Sequence, residues 1–292
     1  MIGVGVSGDG AVGGSVAGSA GPLAALAGWD VPHAAAAVVG IDGVLATYGD
    51  TGRSFALASV TKPLAVLTAL VAVEEGALEL SDPVPVEVVA GATVRHLMAH
   101  ASGLAIDRRV RAAEPGTRRI YSNAGIEVMA EMVAAATGIG FDEYFTAALA
   151  TPLGLNATDL GPRPSRDGHS SLADLARVVA ELLSSTGVLH PSTLAEATSV
   201  QFAGLRGVVP GFGRQDPNDW GLGFEIKGTK VPHWTGSVNS AATFGHFGQA
   251  GTMLWVDPAA RLGLVVLTDR AFDPWAAAAW PRLSDAVLAA YT

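Results

Sequence analysis

Apolar positions run from Leu64 to Val73 (LAVLTALVAV) with no polar side, a pattern that predicts a helix buried on every face rather than one laid on a surface. This helix is expected to open at Ser59 and to stop at Gly76, a residue free to take the left-handed conformation that closes a helix. Ahead of it, two apolar runs at 34–40 and 44–48 flank Ile41-Asp42-Gly43 and predict a β-hairpin. After it, Ser81-Asp82-Pro83 opens a loop, and Thr93 caps a short helix that runs to His100. Helical spacing returns at 124–137, stopped by Gly138, then at 141–150, at 172–184 with Ser170 or Ser171 as cap, and at 191–199. Beyond Pro210 the chain turns to Gly, aromatic and β-branched residues. Residues 221–227, 243–247, 252–256 and 262–268 predict an antiparallel meander, and 275–291 returns to helix despite Pro281.

The order hairpin, helices, strands, helix predicts an α/β (α+β) fold. Its antiparallel sheet is flanked by N- and C-terminal helices, its first and last segments meet, and a mostly helical subdomain is inserted. That subdomain spans about 81–205 and divides an α/β part made of 22–80 and 206–292; the whole reads as one domain, 1–292, with a flexible Gly-rich start at 1–21. Within that start, Gly3-Val4-Gly5-Val6-Ser7-Gly8 and the segment Gly8 to Gly13 both match Gly-x-Gly-x-x-Gly. A dinucleotide fingerprint follows a strand and opens a helix, which a match at the third residue does not, and repeated matches are what low complexity produces.

Composition narrows the chemistry. Of 292 residues 49% are hydrophobic and 15% charged, enough for a large core, and the formal charge of −9 without a basic cluster argues against a nucleic-acid partner. Cysteine is absent, which excludes disulfides, thiolate metal sites and cysteine nucleophiles. No basic residue precedes Arg53 and no apolar run reaches membrane-spanning length, so the expectation is a soluble, cytoplasmic protein without membrane insertion. Its expected partner is a small-molecule ester, peptide or β-lactam substrate; nothing in the sequence bears on oligomeric state.

Ser59 and Lys62 form Ser-x-x-Lys at the start of the apolar helix. Read alone, Ser59 is an N-cap with a lysine in the next turn. But the chain has only three lysines, Lys62, Lys227 and Lys230, and one placed in a buried helix is partly desolvated. Residues three apart share a helix face, so Lys62 sits within reach to activate a serine hydroxyl that is otherwise a poor nucleophile. A proton shuttle and an oxyanion site are still required. Tyr121-Ser122-Asn123 supplies a tyrosine that could exchange protons if Lys62 and other cations lowered its pKa, and an asparagine that could orient Lys62. Gly245-His246-Phe247-Gly248 offers a glycine-flanked strand open to close approach.

Taken in order, Ser59-x-x-Lys62, Tyr121-x-Asn123 and His246-x-Gly248 resemble the motifs of the β-lactamase-like serine hydrolases, which include class C β-lactamases, D-alanyl-D-alanine carboxypeptidases and β-lactamase-like esterases. Supporting stretches are similar too: 97–104 (LMAHASGL), Trp220-Gly221-Leu222-Gly223 and 251–258 (GTMLWVDP). The resemblance covers roughly 34–291 and implies an acyl-enzyme on Ser59, with no cofactor or metal. Lys62 and Tyr121 would share the general-base role, and Asn123 would hold Lys62 and touch substrate. Gly248 would keep the strand open, and the backbone N–H groups of Ser59 and Gln249 would form the oxyanion hole. Where many relatives carry lysine and a hydroxyl residue in the third motif, this chain has His246 and Phe247. That departure favours an ester or peptide substrate over a β-lactam. A binding or regulatory protein without turnover is the alternative of another class, and the intact Ser59, Lys62 and Tyr121 argue against it.

His96 and His100, four apart, lack a third ligand for a metal site. Trp220 and Trp234 are equally suited to a pocket mouth or to packing.

Overall fold

The computed structural model describes residues 21–184 and 187–292. The predicted flexible start lies, apart from Gly21, outside the described residues. The hairpin forms as expected: β1 (Ala34–Gly40) pairs with β2 (Gly43–Tyr48). The meander consists of β3 (Glu225–Ile226), β4 (Phe244–Gly248), β5 (Thr252–Asp257) and β6 (Leu262–Thr268). Ala34 pairs with Thr268 and Gly40 with Leu262, so the first and last strands lie side by side in an antiparallel sheet of order β2-β1-β6-β5-β4-β3.

The two faces of this sheet bury different cores. Along β1, Ala35, Ala37 and Val39 point toward a cluster containing α1 (Thr61–Glu74), α2 (Asn123–Thr137) and α3 (Leu172–Ser184). Ala36 and Val38 point the other way, onto Trp280, Leu283 and Val287 of α4 (Pro274–Tyr291) and onto Leu23 and Leu26 of a 3-10 turn at Pro22–Gly28. Burial on both faces explains why β1 and β6 read as continuous apolar runs instead of alternating.

Helix α1 is buried from Thr61 to Ala72, as its all-apolar pattern requires. Gly223 approaches it so closely that a Cβ there would lie 2.7 Å from Val66. The predicted strand at 221–227 shrinks to Glu225–Ile226 for the same reason: Gly223 has φ +76° and the Gly221 N–H turns back to the Phe224 carbonyl. Helix α2 starts at the Ser122 side chain, which accepts from the Gly125 N–H, and ends at Gly138 in the left-handed region. The Ser171 hydroxyl accepts from the Asp174 N–H at the start of α3. The short helix after Thr93 ends at Met98, two residues before His100, which has φ +54°. Among the described residues no single helix is long and apolar enough to cross a membrane.

Candidate active site

Helix α1 does not begin at Ser59. The nucleophile candidate sits in a 3-10 turn, Ala58–Val60, whose first residue has φ +47°, a conformation that a non-glycine residue adopts only when its surroundings impose it. Those surroundings are explicit. The Leu57 N–H donates to the Gly168 carbonyl, and the Leu57 carbonyl accepts from the Thr252 hydroxyl at 2.8 Å. A Cβ on Gly248 would lie 2.2 Å from that same carbonyl. The missing side chain of Gly248 thus lets the end of β4 abut the turn that carries Ser59.

Two motifs meet at the Ser59 hydroxyl, and the third lines the cavity beside it. Lys62 Nζ lies 3.0 Å from Ser59 Oγ, and the Tyr121 hydroxyl donates to the same oxygen at 2.6 Å. His246 stands across a small cavity of about 50 Å³ whose wall also includes Trp220, Glu225 and Gln249. A larger groove, about 610 Å³, runs between Phe141 and Pro164, and none of the motif residues lines it.

Lys62 is wholly buried, and its pKa is pushed well below the ordinary 10.5, first by burial and then by the Arg166 cation; Glu127 and Asp107 pull it back in part. Its second bond goes to the Ser165 carbonyl, at 2.7 Å. The expected contact with Asn123 does not form, because the Asn123 amide donates to Asp107 at 2.8 Å and leaves its own Oδ1 buried without a protein partner. Asp107, Glu127, Arg166 and Ser165 form one network: Arg166 lies 2.7 Å from Asp107 and 3.5 Å from Glu127, and the Ser165 hydroxyl donates to Glu127 at 2.6 Å. No motif pointed to Ser165, since the contribution comes from a backbone carbonyl.

Tyr121 departs from expectation. Its pKa is raised, because burial of the phenol outweighs the opposing hydrogen bond to Ser59. The ring packs on His100 and Trp220, with centroids 4.7 and 5.8 Å away. His100 also fixes the Tyr121 backbone: its carbonyl accepts from the Ile120 N–H and its Nδ1 from the Ser122 N–H. Arg119, buried without a carboxylate in bonding range, donates to the carbonyls of Ala99, Gln201, Phe202 and Asn218 and so ties the Tyr121 loop to three other segments; burial lowers its pKa to about 10. His96 is part of a capping box with Thr93, and no group of three or more His, Cys, Asp or Glu able to hold a metal occurs among the described residues.

Of the two tryptophans, Trp220 lines the cavity, whereas Trp234 is fully buried and donates to Glu225 at 2.7 Å. Glu225 is in turn 3.2 Å from both Lys230 and His233.

A hydroxyl between a deprotonatable amine and a phenol, in the turn just ahead of a buried helix and beside an antiparallel sheet, fits the β-lactamase and penicillin-binding class of fold. The chain belongs to the beta-lactamase family, whose model matches residues 26–289. It is 55% identical to a beta-lactamase from Mycobacterium bovis of known crystal structure, with a TM-score of 0.90 over 93% of this chain and 99% of that one. The hydrolase EstCE1, which has promiscuous acyltransferase activity, shares the fold at 18% identity and a TM-score of 0.74, over 91% of this chain and 96% of that one. A Salmonella heidelberg protein with the provisional name D-alanyl-D-alanine carboxypeptidase is 23% identical over 214 residues, 55% of this chain. The chain spans about half the length of that relative, 47%.

Proposed function

We propose that this protein is a serine hydrolase that acts through an acyl-enzyme on an ester or amide, of the carboxylesterase or D-alanyl-D-alanine carboxypeptidase/D-amino-acid amidase type. The observation that carries this reading is the pair of contacts on one hydroxyl, Lys62 at 3.0 Å and Tyr121 at 2.6 Å. The direction of the two pKa shifts divides their roles. The depressed Lys62 is the base, and Tyr121, held protonated, is the donor.

Ser59 Oγ bonds to the substrate carbonyl carbon as its proton passes to Lys62. The proton then reaches the leaving group through the Tyr121 hydroxyl as the bond to that group breaks. Water reverses the sequence: its oxygen bonds to the acyl carbon, the bond from that carbon to Ser59 Oγ breaks as one water proton reaches Oγ by the same pair, and the acid is released. The N–H groups of Ser59 and Gln249 are the oxyanion donors in this scheme, and Asn123, with a free amide oxygen, contacts substrate rather than Lys62.

The 55% identity to the M. bovis beta-lactamase favours a second reading, β-lactam hydrolysis at the same serine. Three probes separate them: a p-nitrophenyl ester, a chromogenic cephalosporin and a fluorophosphonate, each with wild type and Ser59→Ala. Ester hydrolysis and labelling by wild type alone is the expected outcome. Fast turnover of the cephalosporin alone would establish the second reading, and equal labelling of the variant would remove Ser59 from the mechanism.

A further inference from the structure

Resting on the acyl-enzyme reading, we propose that His246 forms an acceptor subsite in the cavity beside Ser59 that takes an ester or amide bearing a hydrogen-bond donor or an ammonium group and turns away one bearing a carboxylate. His246 Nδ1 lies 2.7 Å from the Phe247 carbonyl oxygen. A carbonyl can only accept, so Nδ1 carries the hydrogen. The ring is 3% exposed and neutral, because burial and the nearby Lys62 push its pKa down to about 3, against smaller opposing effects of the Phe247 bond and Glu225. In a neutral ring with the hydrogen on Nδ1, Nε2 presents a lone pair.

That lone pair is buried and has no partner in the protein. The two nearest aromatic donors are already committed: the Tyr121 hydroxyl to Ser59, and Trp220 Nε1 to Asn218 Oδ1 at 3.3 Å. Glu225 shares the same cavity wall, but its oxygens are engaged by Lys230 and His233, each at 3.2 Å, and by Trp234 Nε1, so it offers no free acceptor. Burial alone would raise its pKa, but Lys230 and His233 hold it below the usual carboxylate range, so it is ionised. None of the residues lining the cavity is lysine or arginine. A substrate carboxylate placed there meets the His246 lone pair and no cationic side chain in the cavity wall, whereas an N–H or ammonium group satisfies an acceptor that is otherwise unpaired.

The test uses p-nitrophenyl esters of matched acyl length ending in methyl, ammonium or carboxylate, and a parallel set of phenyl esters with the same three groups on the alcohol. The expected order of kcat/KM in the set that reaches the subsite is ammonium, methyl, carboxylate. The extremes should differ by roughly ten- to a hundredfold. His246→Lys, which replaces the lone pair with a cation, should reverse that order, and His246→Gln, whose amide can donate as well as accept, should compress it. Fluorophosphonate labelling of each variant reports whether Ser59 remains assembled. Equal or faster turnover of the carboxylate members in both sets, or ratios unmoved in labelled His246→Lys and His246→Gln, overturns the subsite while leaving the acyl-enzyme intact. Absence of both labelling and turnover in wild type overturns the acyl-enzyme reading and the subsite with it.

Discussion

Lys62 and Lys230 are buried to nearly the same degree, at 0% and 3% exposure, yet their surroundings give them opposite characters. Lys230 lies 3.2 Å from the Glu225 carboxylate and donates to the carbonyls of Asp219 and Ile226. Burial lowers its pKa, and Glu225 pulls it back toward the charged form. Lys62 has a hydroxyl and a carbonyl for partners, with no carboxylate in bonding range, and Arg166 adds to the penalty of burial. A buried amine with a counterion is a strut; without one it is a base. The difference lies in the neighbours, since the two side chains are chemically identical.

The largest test removes the unpaired amine. Lys62→Met should lower kcat/KM roughly 10²–10⁴-fold and at the same time raise the melting temperature, because an uncompensated buried amine is replaced by an apolar chain of similar length. Steady-state kinetics and a thermal melt on one sample check this; a lower melting temperature would mean that Lys62 also stabilises the fold.

Lys230→Met should do the opposite to stability. It leaves Glu225 buried with His233 and Trp234 alone, and chemical unfolding at pH 7 should show a loss of about 3 kcal/mol. Because the folded-state pKa of Glu225 is depressed, the contribution of the pair is fully present above the ordinary carboxylate value of 4.5 and disappears as pH falls through the folded value. The wild-type and variant stabilities should therefore converge in acid; a gap independent of pH would point to lost packing instead.

The smallest effect is a shift in the pH profile. Lys62 must be neutral to accept a proton, so kcat/KM rises with pH through its depressed pKa. Arg166→Gln removes a cation that lowers that pKa, and should move the acid limb to higher pH by roughly half to one unit. Glu127→Gln removes an anion that raises it, and should move the limb the other way. Shifts of the same sign in both variants would show that the limb belongs to another group.

Much of this contrast was hidden in the residue order. The helix around Lys62 was legible because ten apolar positions in a row have one physical solution, burial on all sides. The hairpin and meander were legible because turn chemistry at 41–43 and β-branched runs are local signals. The nucleophile turn was not: its 3-10 geometry depends on Leu57 being gripped by Thr252 and Gly168, each more than a hundred residues away in the chain. Asn123 was assigned to Lys62 because their motifs co-occur, but the amide turned to Asp107, and the Ser165 carbonyl took its place. The sequence leaves open whether Lys62 and other cations lower the Tyr121 pKa; burial beneath His100 and Trp220 raises it instead.

The sequence by itself determined which chemical groups exist and which neighbours they have within one helical turn. It placed a lysine one turn from a serine at the head of a buried helix, and that spacing survives any arrangement of the rest. Only the tertiary structure decided what that lysine is. A pKa sums desolvation and Coulomb fields over every group within several ångströms, and those groups come from strands and loops distant in the chain. Local periodicity carries no information about such a sum, so two buried lysines that look alike in the sequence became a base and a strut.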